Sequence, residues 1–291
     1  MDPRRVLTFR AVAHERSFSA AARTLALTQP AVSQQVAALE KEVGARLLDR
    51  EPGGLKLTHA GKVLLEHADA LADVLQLAET QLAELGGDER LRIGAFSSAV
   101  AALVPEAVQR LRRDVPGAEV QVQEGDSQAL AARVRAGELH LSVAFQDAAL
   151  ERREHDGLER HDVLREPFLV GLARTHRLAG RDTIDLAELA EDDWSAASTD
   201  GLIARACQAA GFAPRLVSLA RDPIAIREFV ARGTAVTLVP RLLAPGLDGL
   251  AFAKIDNGPQ RDVYVLLPSG GRHRLVEPTV QALVEVASEL A

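Results

Sequence analysis

Residues 17–57 decide the fold of this chain, and they read SFSAAARTLALTQPAVSQQVAALEKEVGARLLDREPGGLKL. The stretch predicts two short helices joined by a tight turn and followed by a basic hairpin. Ser19 is a suitable N-cap for a first helix over 20–25, with Phe18 before it as a hydrophobic staple. Residues 26–27 form the predicted turn.

The second helix of this pair begins at Thr28, which is a good N-cap, and carries Pro30 in its first turn, where a missing N–H costs nothing. Val32, Val36 and Leu39 recur at i, i+4 and i+7, so they share one buried face. The opposite face is polar and short-chained, and it presents Pro30, Ser33, Gln34, Ala37 and Lys41.

That polar face is suited to contact with nucleic acid. A glutamine such as Gln34 can pair with adenine through two hydrogen bonds in the major groove. Gln29 lies at the helix N-terminus, where backbone N–H groups can hold a phosphate. The alternative is an ordinary amphipathic helix pair with a solvated face, since such pairs are common.

The residues that follow favour DNA binding over that alternative. Residues 46–50 lead into Glu51-Pro52-Gly53-Gly54, which is a turn signal, and then into Leu55-Lys56-Leu57-Thr58. Arg50 and Lys56 would flank this hairpin and could reach phosphates or the minor groove. Two helices and a basic hairpin in this order define a winged helix-turn-helix, which inserts its second helix into the major groove.

At this point the sequence resembles the LysR-type transcriptional regulators. The resemblance is carried by Phe9 and Val12 in the first helix, by residues 17–50, and by the LTHAG segment at 57–61, and it extends over essentially all 291 residues. It implies a multidomain chain: a winged helix-turn-helix DNA-binding domain over 1–58, a linker and dimerisation helix over 59–87, and an α/β effector-binding domain over 88–291. It also implies an imperfect inverted repeat as the DNA target, contact with RNA polymerase, and a homodimer or homotetramer.

The linker helix is also visible in the residues themselves. Thr58 caps a helix that runs to about Leu85 and is closed by Gly86-Gly87. A 4-3 spacing of apolar residues along it, typical of a helix-helix contact between two chains, comprises Leu64, Ala68, Leu71, Leu75, Ala78, Leu82 and Leu85. The alternative is a helix packed on its own domain.

From residue 90 onward, short β-like runs alternate with helical ones, which is an α/β pattern. The resemblance implies two subdomains similar to periplasmic binding proteins, the first over 90–162 and 266–291 and the second over 163–265. A helix is predicted over 99–113 and strands over 168–172 and 262–267.

Folds of this kind bind small molecules in the cleft between subdomains, at strand ends and helix N-termini. Small hydroxyls mark three helix starts, at Ser97 and Ser98, at Ser127, and at Ser198 and Thr199, and they predict an effector site there. The resemblance implies that Ser98, Ser127, Gln146 and Thr199 line the cleft. Positive helix ends favour an anion, typically a carboxylate, whereas Asp126 and Asp222 near the expected cleft would oppose one. The alternative is that these serines are plain N-caps.

Charge and composition fit this interpretation. The net charge is −7, yet residues 1–60 hold nine Lys and Arg against six Asp and Glu, while the remainder holds 25 against 35. The modest positive excess at the N-terminal end suggests that two or more DNA-binding domains act together. One cysteine, Cys207, excludes an intramolecular disulfide, and the chain has neither a long apolar run nor a secretory leader, so a cytoplasmic location is expected.

Signals of chemistry are few. No nucleophile elbow, phosphate-binding loop or metal-spaced His/Cys cluster appears, so no cofactor, no metal and no enzymatic activity are predicted. His155 and His161 are interpreted as solvated residues of a charged loop. Two other classes stay open: an enzyme tethered to a DNA-binding domain, which lacks a catalytic set, and a sequence-tolerant architectural DNA protein.

Overall fold

The computed structural model describes residues 1–51, 54–85, 90–270 and 272–290. The chain divides into two compact units, Met1–Leu82 and Ala83–Ala291. Among the described residues, no helix combines the length and hydropathy that a bilayer crossing requires.

The first unit is helical with one hairpin. Its elements are α1 (Pro3–Glu15), α2 (Phe18–Thr24), α3 (Gln29–Val43), β1 (Leu48–Glu51), β2 (Gly54–Leu57) and α4 (His59–Leu85). Its core is formed by buried side chains of α1 and α3, among them Phe9, Val12 and Leu39, with the alanines of α2 packed against them. The cap predicted at Ser19 is wrong: Ser17 caps α2, and its hydroxyl accepts from the Ala20 N–H at 3.2 Å.

The hairpin and the turn between α2 and α3 follow the predicted order. Ala26 adopts a left-handed conformation, with φ of 52°, in the turn. The hairpin pairs Asp49 with Lys56 and Arg50 with Leu55. The predicted tip at Pro52-Gly53 lies outside the described residues.

The two halves of helix α4 have different surroundings. Leu64 and Ala68 are buried in the core of the first unit, and Leu71 is partly buried against it. Leu75 and Leu82 are exposed, at 43% and 66%. The first half of the predicted seam therefore packs on its own domain, while the second half leaves large apolar side chains uncovered within this chain. Gly86-Gly87, the predicted end of the helix, lies outside the described residues.

The second unit is an α/β structure of two lobes. The elements up to the first crossing are β3 (Leu91–Ala95), α5 (Ser97–Ala102), α6 (Val104–Asp114), β4 (Val120–Glu124), α7 (Ser127–Arg135), β5 (Leu141–Asp147) and β6 (Leu158–Ala173). The remaining elements are β7 (Thr183–Ile184), β8 (Asp193–Ala196), α8 (Leu202–Ala209), β9 (Arg215–Leu219), α9 (Pro223–Ala231), β10 (Thr237–Pro240), β11 (Leu250–Ile255), β12 (Gln260–Pro268) and α10 (Val276–Leu290), with 3-10 turns at Leu186–Leu189 and Arg241–Gly246.

The two lobes are joined by long strands. The main sheet has the order β4-β3-β5-β12-β6-β11-β7, with β10 also paired to β6, and β8 pairs with β9 in parallel. The first lobe contains β3, β4 and β5 in parallel, and the second contains β10 and β11 antiparallel to the end of β6. The predicted boundaries between the two subdomains, at 162–163 and at 265–266, lie within β6 and β12. These two strands pair with each other, so both passages of the chain between the subdomains are made by paired strands.

Two predicted elements are corrected here. The single helix expected over 99–113 is two helices broken at Leu103, because Pro105 lacks an N–H and cannot sit in a helix interior. The strand expected at 168–172 begins ten residues earlier, at Leu158.

Each lobe has its own core. Ile93, Val143 and Leu283 belong to the buried cluster of the first lobe. Val170, Trp194 and Leu238 belong to that of the second. The carboxyl ends of the strands in the first lobe lead directly into α5, α7 and the loop after β5, which places these segments at one edge of the sheet.

Candidate DNA-binding surface and effector site

Helix α3, the second helix of the predicted helix-turn-helix, has the N-cap and the buried face that its sequence pattern predicts. The Thr28 hydroxyl accepts from the Ala31 N–H at 3.4 Å, and Pro30 lies in the first turn. Val32, Val36 and Leu39 are buried. The remaining predicted DNA-binding residues of this helix are outward: Thr28, Gln29, Pro30, Gln34 and Lys41 are exposed, and Ser33 is half-buried.

Two contacts that sequence reasoning missed hold α3 in place. The Thr8 hydroxyl of α1 lies 2.6 Å from the Gln35 amide oxygen. The Glu40 carboxylate accepts from the backbone N–H groups of Leu47 and Leu48, at 2.7 and 3.2 Å. These two residues lead into the β1–β2 hairpin, which is the wing of the domain. Helix α3 and the hairpin are therefore connected through one acidic side chain.

The wing is fastened at its other end by the LTHAG segment. The Thr58 hydroxyl donates to the Arg46 carbonyl oxygen at 2.7 Å and accepts from the Gly61 N–H at 2.9 Å. A Cβ on Gly61 would lie 2.1 Å from the Leu47 carbonyl oxygen, so only glycine fits there. Lys56 is exposed on β2. The side chain of Arg50 lies outside the described residues.

In the second unit, Ser97 and Ser98 begin α5, which has no side-chain cap. Ser98 is buried, whereas Ser97 lines a cavity of about 710 Å³ between the lobes. The cavity walls also include Glu124 of the first lobe and Arg221 and Asp222 of the second, together with apolar side chains of α5 and of the turn at 241–246. The lining of this cavity thus carries charges of both signs.

The other predicted residues lie in different surroundings. Ser127 accepts from the Phe145 N–H at 3.4 Å. The Gln146 amide oxygen accepts from Arg160 Nη1 at 2.8 Å and the Arg153 N–H at 3.1 Å, and the residue lines a separate cavity of about 340 Å³. Thr199 is exposed and Ser198 is half-buried.

The alternative that these serines are plain N-caps is wrong. The N-cap of α5 is Phe96, that of α7 is Asp126, and that of α8 is Gly201. Asp126 accepts from two N–H groups of α7, and Asp222 does the same for α9. Because these two carboxylates cap helices, they oppose a bound anion less than free carboxylates would.

An ion pair between the lobes was not predicted. Arg205 of α8 donates to one oxygen of Asp147, at the end of β5, from Nη2 at 2.9 Å and from Nε at 3.2 Å. Asp147 directly follows the predicted Gln146, so the sequence could have placed it near the effector site. The residues around Arg205 contain no such indication.

A second unpredicted pair lies where the strands cross. Arg261 of β12 donates to Glu166 of β6 at 2.7 Å, and the other Glu166 oxygen accepts from the Leu242 N–H at 2.7 Å. The Arg261 guanidinium also lies over the rings of Phe96 and Phe145, at 4.9 and 5.1 Å. Burial lowers the pKa of Arg261, and the Glu166 carboxylate opposes that shift.

His155 and His161 differ from the prediction. His161 lies within β6, and His155 is partly buried with Nε2 3.2 Å from the Tyr264 hydroxyl. Burial, followed by the nearby charges of Arg153, Arg160 and Arg135, lowers the pKa of His155. In the part of the chain that the structure describes, no group of three or more His, Cys, Asp or Glu side chains could hold a metal.

Comparisons with known proteins agree with this architecture. Residues 3–62 match the family model "Bacterial regulatory helix-turn-helix protein, lysR family", and residues 86–290 match "LysR substrate binding domain". The SDS degradation transcriptional activation protein of a Pseudomonas species is 30% identical over 97% of this chain and 94% of its own length. The small neutral protease regulatory protein of Streptomyces coelicolor is 33% identical over 78% of this chain and 73% of its own.

Solved structures share the fold. ArgP from Mycobacterium tuberculosis superposes with a TM-score of 0.65 at 21% identity, over 99% of this chain and 98% of that one. The DNA complex of full-length CbnR has a TM-score of 0.59 at 23% identity, over the whole of both chains. The chain therefore belongs to the LysR family of bacterial transcriptional regulators, with a helix-turn-helix DNA-binding domain and a substrate-binding effector domain. Its family relatives are transcriptional regulators and not enzymes.

Proposed function

We propose that this regulator reads an imperfect inverted repeat through Ser33 and Gln34 of α3 in the major groove, with Thr28, Gln29 and Pro30 at the helix N-terminus against the backbone. Lys41, Arg50 and Lys56 supply phosphate contacts. The observation that carries the proposal is the outward polar face of α3 opposite a fully buried apolar face, in a domain fastened by Glu40 and Thr58.

The chain acts as a homodimer or homotetramer in this proposal. The exposed Leu75, Ala78 and Leu82 on the second half of α4 support pairing with a second α4, since apolar side chains at 4-3 spacing favour helix-helix contact. A small positive excess on each DNA-binding domain also favours several domains acting together.

The effector is a small molecule bound between the two lobes, near the ends of the strands that lead to Ser97, Ser127, Gln146 and Thr199. A carboxylate is the favoured headgroup, because uncapped backbone N–H groups begin α5 at the cavity that Ser97 lines. The effector shifts a population of lobe arrangements, so it must have different affinity for each. One relative's name describes transcriptional activation, which supports RNA polymerase as a further partner.

The test of DNA reading is a footprint on the intergenic DNA upstream of the gene. The expected result is a protected dyad extending over several helical turns, which a single recognition helix cannot give. Gln34→Ala should abolish the sharp footprint, while Gln128→Ala, an exposed glutamine on α7, serves as the matched control. Protection without sequence preference would instead support the architectural alternative.

Lys56 is tested by the salt dependence of binding. Lys56→Ala should weaken binding to every sequence and reduce the slope of log affinity against log salt by about one. Lys254→Ala removes the same charge from the effector domain and should leave the slope unchanged. Equal effects of the two variants would contradict a phosphate contact by the wing.

A further inference from the structure

The ion pair between Arg205 and Asp147 joins the two lobes of the effector domain through side chains. Asp147 is the last residue of β5 in the first lobe, and Arg205 lies in α8 of the second. The Asp147 side chain is only 10% exposed, whereas Arg205 is 43% exposed. A nearly buried carboxylate requires partners, and this one has Arg205 on one oxygen and the Ala149 N–H, at 3.0 Å, on the other.

Arg205 is held in a fixed orientation. Its Nε and Nη2 both donate to the same Asp147 oxygen, and its Nη1 donates to the Asp200 carbonyl oxygen at 3.0 Å. Asp200 lies in the loop before α8, so the guanidinium is oriented from its own lobe as well as from the other. An oriented guanidinium is the group that best recognises a planar carboxylate.

The pair also forms part of the wall of a cavity of about 660 Å³. One side is the loop after β5, including Leu150, and the other is the face of α8 that presents Leu202 and Ala206, with Ile255 at the end of β11. These walls are mainly apolar, and the volume is typical of small-molecule sites.

The other charged groups of this cavity have partners of their own or face water. Arg165 is bound to Asp262 through two hydrogen bonds, at 2.6 and 3.0 Å. Asp185 caps the turn at 186–189, and Asp256 is exposed. Within the described walls, Arg205 is therefore the cation oriented by contacts from both lobes.

We propose that Arg205 anchors the carboxylate of a small, largely apolar acid, and that Asp147 is the internal substitute for that carboxylate. The inference rests on the proposed function, an effector bound between the two lobes, and assigns its headgroup to this cavity instead of the one that Ser97 lines. Exchange of one carboxylate for another keeps Arg205 neutralised but removes the link between α8 and β5. The displaced Asp147 carboxylate must then be hydrated, which requires the lobes to move apart there. Binding of the acid is therefore coupled to separation of the lobes.

The experiment removes the internal carboxylate and supplies one from solution. Full-length Asp147→Ala protein is unfolded by heat and followed by fluorescence of Trp194, the only tryptophan of the chain, which is buried in the second lobe. The substitution should lower the melting temperature by about 3 °C. Sodium acetate should restore at least half of that loss, and sodium chloride or acetamide at equal concentration should not.

Rescue must depend on Arg205. The double variant Asp147→Ala, Arg205→Gln should not respond to acetate, and the wild-type protein should respond less than the single variant. Acids with one more methylene each, from propionate to hexanoate, should act at concentrations that fall by up to about fourfold per methylene if the apolar walls are used. Should the alanine variant fail to fold, the same series on Asp147→Ser gives the answer.

Acetate without effect beyond the chloride control, or with equal effect on the double variant, would overturn the assignment of Arg205. No dependence on chain length would overturn the apolar character of the ligand. Neither readout involves DNA, so a missing footprint with successful rescue would contradict the DNA-reading proposal alone, and a footprint without rescue would contradict only this inference.

Discussion

Glu166 and Arg261 are direct partners in the register of β6 and β12, and their side chains, each 4% exposed, form an ion pair at the crossing between the two lobes. Glu166 also accepts from the N–H of Leu242, the second residue of the 3-10 turn at Arg241–Gly246 in the second lobe. Arg261 lies over Phe96 of the first lobe and, at 5.6 Å, over Phe168 of the second. The pair thus contacts both cores at the place where the chain passes between them.

Glu166→Ala should destabilise the effector domain severely. It leaves the Arg261 charge buried without a carboxylate, which typically costs about 3–5 kcal/mol. The measurement is urea unfolding followed by Trp194 fluorescence. Replacing both partners, as in Glu166→Leu with Arg261→Met, should be less harmful than the single change, since no charge then stays buried.

The control for that experiment is an exposed pair. Arg90 and Glu119 lie 3.1 Å apart with side chains 54% and 65% exposed, and Glu119→Ala should cost at most about 1 kcal/mol. A loss for Glu166→Ala no larger than that would show that the buried pair does not stabilise the crossing.

The pattern of the first unit was predictable because its information is local. Thr28, Pro30 and the spacing of Val32, Val36 and Leu39 act within one helix, and all of them were interpreted correctly. The cap of α2 was missed because Ser17 and Ser19 are chemically equivalent as caps. Only the packing of the helix decides between them.

The effector site was less predictable because its contacts are distant in sequence. Arg205 and Asp147 are 58 residues apart, and Arg261 and Glu166 are 95 apart. The register of β6 and β12 brings the second pair together. The charged loop predicted around His161 is part of β6. That part of the strand pairs with β12, and Val163 and Leu164 pack against the core of the first lobe.

Gly61→Ala should unfold or distort the DNA-binding domain. The added Cβ would lie 2.1 Å from the Leu47 carbonyl oxygen, which is backbone and cannot turn aside. We expect loss of DNA binding together with a lower melting temperature of the first unit, followed by circular dichroism. Gly270→Ala is the control, because no atom lies within 4 Å of a Cβ there. Wild-type DNA affinity in Gly61→Ala would contradict the close approach.

Glu40→Ala should weaken DNA binding without unfolding the domain. The change removes the acceptor of the Leu47 and Leu48 N–H groups, so the wing is no longer held to α3. Each hydrogen bond to a charged group contributes about 1.5–3 kcal/mol, and a loss of about tenfold in affinity is expected by electrophoretic mobility shift. Glu42→Ala, on the same helix but bound to the N-terminus and Arg5, should retain affinity. Equal affinities for the two variants would rule out a positioning role for Glu40.

His155 should make the effector domain less stable in mild acid. Its pKa in the folded protein lies below the usual 6.5 because burial and nearby arginines oppose the charge. The unfolded chain then binds more protons as the pH falls through 6.5, so the stability present above that pH is lost toward the lower folded pKa. Urea unfolding at about pH 7.5 and about pH 5 should show a smaller difference for His155→Gln than for wild type. If His155→Gln and wild type lose the same free energy of unfolding between the two pH values, another group causes the acid sensitivity. His67→Gln, in the first unit, is the control.

Cys207 should be inert to alkylating and oxidising reagents in the native protein. The side chain is fully buried in the core of the second lobe, and burial raises its pKa to about 12, so the thiol is almost entirely protonated at neutral pH. Because the thiolate is the reactive species, iodoacetamide should label the native protein at less than about one-tenth of the rate seen in urea. DNA binding should likewise be unchanged by hydrogen peroxide, and Cys207→Ala should bind DNA as wild type does. Rapid labelling of the folded protein, or a peroxide response that Cys207→Ala abolishes, would show that the thiol reaches solvent and that this regulator senses oxidants through a single cysteine.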